Sequence, residues 1–153
     1  MKKVWLLVIT LVTIGVTALI SVPVVKASPQ TQIEVQINGR QRLRATLNNS
    51  SAARQFAREL PKTMHFRNYM SGYEEKIADL HHSLSTRGMP KGNNAKTGEI
   101  GYWSPDQRIV FYWGNESYYE GIHIIGHFKQ GTNLRPIRHL KANDQVTIKR
   151  VND

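Results

Sequence analysis

The chain has 153 residues, with 21 lysines and arginines against 11 acids, a net charge of +10 and no cysteine. A chain of this length buries enough surface to form a core without a metal or a disulfide, so one folded domain is expected. The missing cysteine excludes a disulfide framework, a thiolate zinc site, a redox pair and a lipidated cysteine anchor.

The chain begins MKKVWLLVITLVTIGVTALISVPVVKASPQ. Lys2 and Lys3 form a positive n-region, residues 4–25 carry no charge, and Val25-Lys26-Ala27 places small residues where a signal peptidase cuts before Ser28. Two readings stay open. Residues 1–27 are a removed signal peptide, or, because the uncharged run approaches the ~20 residues that span a bilayer, an N-terminal membrane anchor. In both, the lysines hold the N-terminus in the cytoplasm and residues 28–153 form an extracytoplasmic domain, secreted or anchored by residues 4–25.

Without residues 1–27 the domain keeps 18 basic against 11 acidic residues, a net +7. A basic exported surface is drawn to anionic headgroups and acidic wall polymers, so an anionic envelope surface is an expected partner. The regular cluster Arg40, Arg42 and Arg44 has the spacing of a strand's outer face, which also fits an ordinary solvated surface. Nucleic acid is not expected, for want of a helical or aromatic reading motif.

QIEVQI and RLRATL alternate apolar and polar residues around Asn38-Gly39, the strongest short hairpin signal. In NNSSAARQFARELP, Asn48 to Ser51 offer N-caps, Ala52, Phe56 and Leu60 recur at a spacing of four, and Pro61 stops the helix. TMHFRNY predicts a strand over 63–69, and SGYEEKIADLHHSL fits a short helix or an irregular loop. GMPKGNNAKTG, residues 88–98, predicts an exposed loop. EIGYW, RIVFYWG, GIHIIGHF and QVTIKRV predict four more strands, rich in β-branched and aromatic residues. About seven short strands, one or two helices and no βαβ rhythm predict a mostly β fold, a small closed barrel.

His123 and His127 would share one face of a helix and ligate zinc. Isoleucines around them argue for a strand, which parts the two rings by roughly 13 Å, too far for one ion with bonds near ~2 Å. No Gly-x-Ser-x-Gly elbow exists, and the acids Glu74, Glu75, Glu99, Asp106 and Glu120 are no more than chance supplies for a glycosidase pair. Neither a metal nor a cofactor is expected. Aromatic residues are more informative: seven fall between Tyr102 and Tyr119. In RIVFYW, Ile109, Phe111 and Trp113 face one way and Arg108, Val110 and Tyr112 the other. One face is core; the second is covered by a loop or open as an aromatic groove.

The hairpin, AARQFAREL, TGEIGY, RIVFYW, YYEGIHIIGHFKQGTNL and the last strand VTIKRV follow in an order that resembles cyclophilin. LNNSSAARQFARELP, YEEKIADL, TGEIGYWSPDQRIVFYWG and GIHIIGHFKQG resemble more closely the bacterial cyclophilin-like fold family, small barrels. The resemblance implies a groove for a peptide or small ligand that uses Arg67, Tyr69, Tyr73, Tyr112, Tyr118 and His123. It implies a non-catalytic binding module of the cell envelope, with Arg67 and His123 the only catalytic candidates. The alternative it implies is a weak peptidyl-prolyl cis/trans isomerase acting on extracytoplasmic proteins. Tyr118 stands where cyclophilins carry a pocket tryptophan, and Glu74 and Lys76 stand where they carry methionine and glutamine.

Overall fold

The computed structural model describes residues 30–151, so the N-terminal segment read as a signal peptide or anchor lies outside the described residues. Strands β1 (Thr31–Ile37) and β2 (Gln41–Leu47) pair antiparallel in unbroken register from Thr31↔Leu47 to Ile37↔Gln41. Asn38, Gly39 and Arg40 join them: Asn38 and Gly39 have φ of 50° and 69°, and the Arg40 amide donates to the Ile37 carbonyl at 3.0 Å to close the tight turn that the left-handed pair allows. Ser50 caps α1 (Ser51–Arg58), its hydroxyl accepting from the Ala53 amide at 3.3 Å. Ala52, Ala53, Phe56 and Ala57 bury one face of that helix against the sheet.

Between 62 and 79 the sequence expectations need correction. The strand expected over 63–69 is broken into β3 (Lys62–Met64) and β4 (Arg67–Asn68), with Phe66 between them turned fully into the core. Phe66 stacks on Phe111 at 4.2 Å, and Phe111 meets Phe128 edge-on at 5.2 Å, contacts worth about 1 kcal/mol each beyond area burial. The segment left between helix and loop is β5 (Glu75–Asp79), registered on β8 (Arg108–Tyr112) from Glu75↔Tyr112 to Asp79↔Arg108. It is a strand because Ile77 packs under one face of the sheet and Ala78 under the other, which a helix cannot arrange.

The expected loop at 88–98 contains β6 (Gly92–Asn94), with Gly92 and Ala95 buried. β6 pairs only with β9 (Tyr118–Glu120), as a small two-stranded flap. Strand β7 (Glu99–Trp103), strand β10 (Ile122–Phe128), a short α2 (Arg135–Arg138) and β11 (Val146–Arg150) complete the described elements.

The main sheet runs β3-β11-β1-β2-β10-β7-β8-β5-β4. It curls into a half-barrel and does not close, correcting the closed barrel expected from sequence. The edges β3 and β4 are consecutive in the chain with two residues between them, and no ladder joins them. A single large cluster, including Ile33, Leu47, Phe56, Phe111, Ile125 and Ile148, fills the concave side. A smaller one, Ile77, Ala95, Val110, Tyr112 and Ile122, lies on the outer face.

The register of β10 slips between Ile124 and Gly126, so Ile125 and Phe128 both enter the main core. Asn48 occupies the irregularity: its backbone amide donates to the Ile125 carbonyl and its side chain to the Ile124 carbonyl, each at 2.8 Å.

Candidate functional site

Alternation on two paired strands makes the floor of a cleft on the outer face. Glu75 and Ile77 of β5 and Arg108, Val110 and Tyr112 of β8 share that face, and Trp103 and Ile122 extend it. The walls come from Tyr69 and Tyr73, which precede β5, and from Glu116 and Tyr119, in and beside β9. The enclosed space is about 140 Å³, enough for one side chain or a small molecule and less than a drug-sized ligand needs. Tyr69 and Tyr119 remain 41% and 45% exposed, and the Tyr69 and Tyr73 rings meet edge-on at 5.2 Å.

The cations at the cleft are held by a chain of carboxylates. Asp79 accepts from Arg67 at 2.9 Å and from Arg108 at 3.1 Å, and Asp106 accepts from Arg108 at 2.7 Å. Asp106 also accepts from the Trp103 indole at 3.2 Å. The Arg108 guanidinium lies 5.8 Å from the centre of the Tyr69 ring. Hydrogen bonding from Arg67, followed by that from Arg108, holds the Asp79 carboxyl below its ordinary range.

Glu75 behaves oppositely. Burial, followed by repulsion from Glu116, pushes its pKa up to about 7, with Arg108 opposing. Burial and then the neighbouring carboxylates Glu75 and Glu116 also push the Tyr112 phenol up. Glu116 accepts from the Glu74 backbone amide at 2.9 Å and has no basic partner among the described residues.

Of the residues expected to form the groove, Tyr69, Tyr73 and Tyr112 line the cleft, Tyr112 as buried floor. Arg67 is outside the lining, tied to its rim through Asp79. Tyr118 points to solvent at 63% exposure, and its neighbour Tyr119 takes the wall position. His123 is 5% exposed on the opposite side of its strand, 6.2 Å from Tyr102 and hydrogen-bonded to the Ser104 hydroxyl at 3.1 Å. Burial lowers its pKa, partly opposed by the Pro90 carbonyl. Because a strand alternates, Ile122 faces the cleft and His123 does not.

Lys76, which the resemblance set at the pocket, is likewise turned inward. Its ammonium donates to Asn68 Oδ1 at 2.6 Å and to the Leu140 carbonyl at 2.7 Å, and burial lowers its pKa. Glu74 faces a separate shallow depression with Trp113 and Arg138. Glu75, Trp103, Arg108, Glu116 and Tyr119 were missed as lining residues. Reading 75–79 as a strand would have paired Glu75 with Ile77, and the outward face of RIVFYW already contained Arg108. Glu116 arrives by loop geometry and Tyr119 on the three-residue strand β9, too short to show a period.

No curated protein matches this chain. Among solved structures, it is similar to the solution structure of a hypothetical protein from Archaeoglobus fulgidus, at 13% identity and a TM-score of 0.54. That alignment covers 80% of this chain and 95% of the other, and the likeness is one of fold. A sequence model of the cyclophilin-like family matches residues 35–149, from within β1 to within β11. The chain therefore belongs to the cyclophilin-like family.

Proposed function

We propose that the protein is a non-catalytic binding module of the cell envelope that takes a peptide or small ligand into the cleft between Tyr69, Tyr73 and Tyr119. The supporting observation is a formed concavity whose aromatic walls stay open to solvent, whereas the aromatic rings of the main core are fully buried. Location rests on the N-terminal pattern, Lys2 and Lys3 before an uncharged run. Mass measurement of the protein recovered from cells separates cleavage before Ser28 from a retained anchor.

The isomerase alternative has less support. It requires an arginine with donors free to reach a prolyl nitrogen, whereas Arg67 lies outside the cleft on Asp79, and Arg108 donates to Asp79 and Asp106. Exchange NMR on an X-Pro peptide is expected to show the uncatalysed rate.

The binding reading is tested by saturation-transfer NMR against short peptides and small molecules, comparing the parent with Tyr119→Ala. Ligands that transfer saturation from the parent and lose it with the variant support the cleft. A set that binds both proteins equally, or no ligand at all, rejects it.

A further inference from the structure

The charges around the cleft do not cancel evenly. Arg67 and Arg108 are matched by Asp79 and Asp106 in one connected network. Glu75 and Glu116 remain, both lining the cleft and neither in an ion pair among the described residues. On a protein with a large excess of lysine and arginine, this recess is locally acidic. The two carboxylates repel each other; Arg108, the one cation of the lining among the described residues, is already paired with Asp79 and Asp106, and a positive ligand would relieve both carboxylates. The walls add a second, independent preference, because tyrosine and tryptophan rings present negative faces that attract a cation.

We propose that the occupant of the cleft is an organic cation, an alkylammonium group on a short apolar stem, held by Glu75 and Glu116 and walled by Tyr69, Tyr73 and Tyr119. This rests on the binding reading above and names its ligand class. The space of about 140 Å³ fits such a head and stem, with Ile77, Val110 and Ile122 on the floor to take the methylenes. Source is left to the experiment: a free amine and a lysine side chain on a peptide present the same group.

Protonation gives the site a pH response. Glu75 is faced by Glu116 from the β8–β9 segment, Arg108 and Tyr112 from β8, Tyr69 and Tyr73 from the β4–β5 segment, and Tyr119 from β9. With Glu75 titrating at about 7, a cation is held more tightly above that pH than below it.

The test uses the full chain in a neutral detergent and ¹H–¹⁵N correlation spectra at about pH 8, above the Glu75 titration. The probes are n-butylammonium, Nα-acetyl-lysine methylamide, n-butanol and butyrate. The two ammonium probes are expected to bind about tenfold more tightly than butanol, with butyrate weakest. The tighter of the two identifies the source. Glu75→Gln with Glu116→Gln should erase the preference; glutamine at 116 keeps an oxygen for the Glu74 amide, and undiminished signal dispersion checks folding. Tyr69→Ala, at an exposed wall position, gives a second loss of ammonium affinity should the double variant not fold. Equal binding of butanol, or a preference that survives these substitutions, overturns the cation assignment and leaves the binding cleft standing. If no probe moves the cleft resonances, both fall.

Discussion

Glu75 lets the electrostatics of the cleft be read from stability alone. Its pKa is about 7 in the folded chain against 4.5 for the free side chain, so the folded state binds its proton more tightly than the unfolded state does. For a raised carboxyl the stabilising contribution is fully present below about pH 4.5, declines as pH rises, and is gone above about pH 7. The whole difference corresponds to about 3 kcal/mol, and solvent around a partly exposed side chain reduces it to about 1–2 kcal/mol. Glu75→Gln removes the titration and keeps the shape. The variant should match the parent near pH 4.5 and exceed it by about 1–2 kcal/mol near pH 8, a rise of roughly 0.5–1 M in the urea midpoint. Tryptophan-monitored urea unfolding across that range measures it, and subtracting parent from variant at each pH cancels the titration of distant groups. Parallel pH profiles for the two proteins would refute the buried, repelled carboxylate.

Asp79→Asn should leave Arg67 and Arg108 with Asp106 as their only carboxylate, adding one net positive charge beside the cleft and lowering n-butylammonium affinity about three- to tenfold in the same spectra, less so at high salt. Gly126→Ala should cost about 1–3 kcal/mol in urea unfolding, since a Cβ there would stand 2.4 Å from the Thr46 carbonyl, a backbone atom that cannot turn aside. Tyr102→Phe should cost about 1–3 kcal/mol, because the hydroxyl accepts from the buried Leu84 amide at 3.0 Å and nothing else would replace it.

Where the sequence had a single period, the fold was legible in it. The hairpin at Asn38-Gly39, helix α1 and the strands β7, β8, β10 and β11 all have a strong local signal, and each forms where that signal lies. β5 was obscured because EKIAD has small, charged and apolar residues in a row. Its strand character comes from pairing with β8, more than 25 residues away in the chain. β6 is hidden for a similar reason: glycine and asparagine are weak strand formers, and only the pairing with β9 makes GNN extended. Closure could not be read at all, since it depends on whether two edges meet in space. Half of the expected site residues reach the cleft, and the other three fall on the wrong side of a period-two alternation, beyond the rim or in solvent.

That alternation also explains why the cleft has the chemistry it has. On β5 the inward positions are Lys76 and Ala78, and Lys76 spends its charge on Asn68 and the Leu140 carbonyl inside the fold. The outward positions are Glu75, Ile77 and Asp79, so the acids of this strand are gathered on the outer face while its one cation is withdrawn. The flap of β6 and β9 covers part of that face, where Ala95, Val110, Tyr112 and Ile122 pack together. Its end is tied to the main sheet beside Trp103: the Ser104 amide donates to the Gly121 carbonyl at 3.0 Å, and a Cβ on Gly121 would lie 2.8 Å from the Pro105 ring. The flap therefore cannot slide over Glu75 without breaking those contacts, and Tyr119 and Glu116 end where the cover ends. An uncovered patch with two carboxylates, bordered by rings that the flap does not bury, follows from strand register and flap length together.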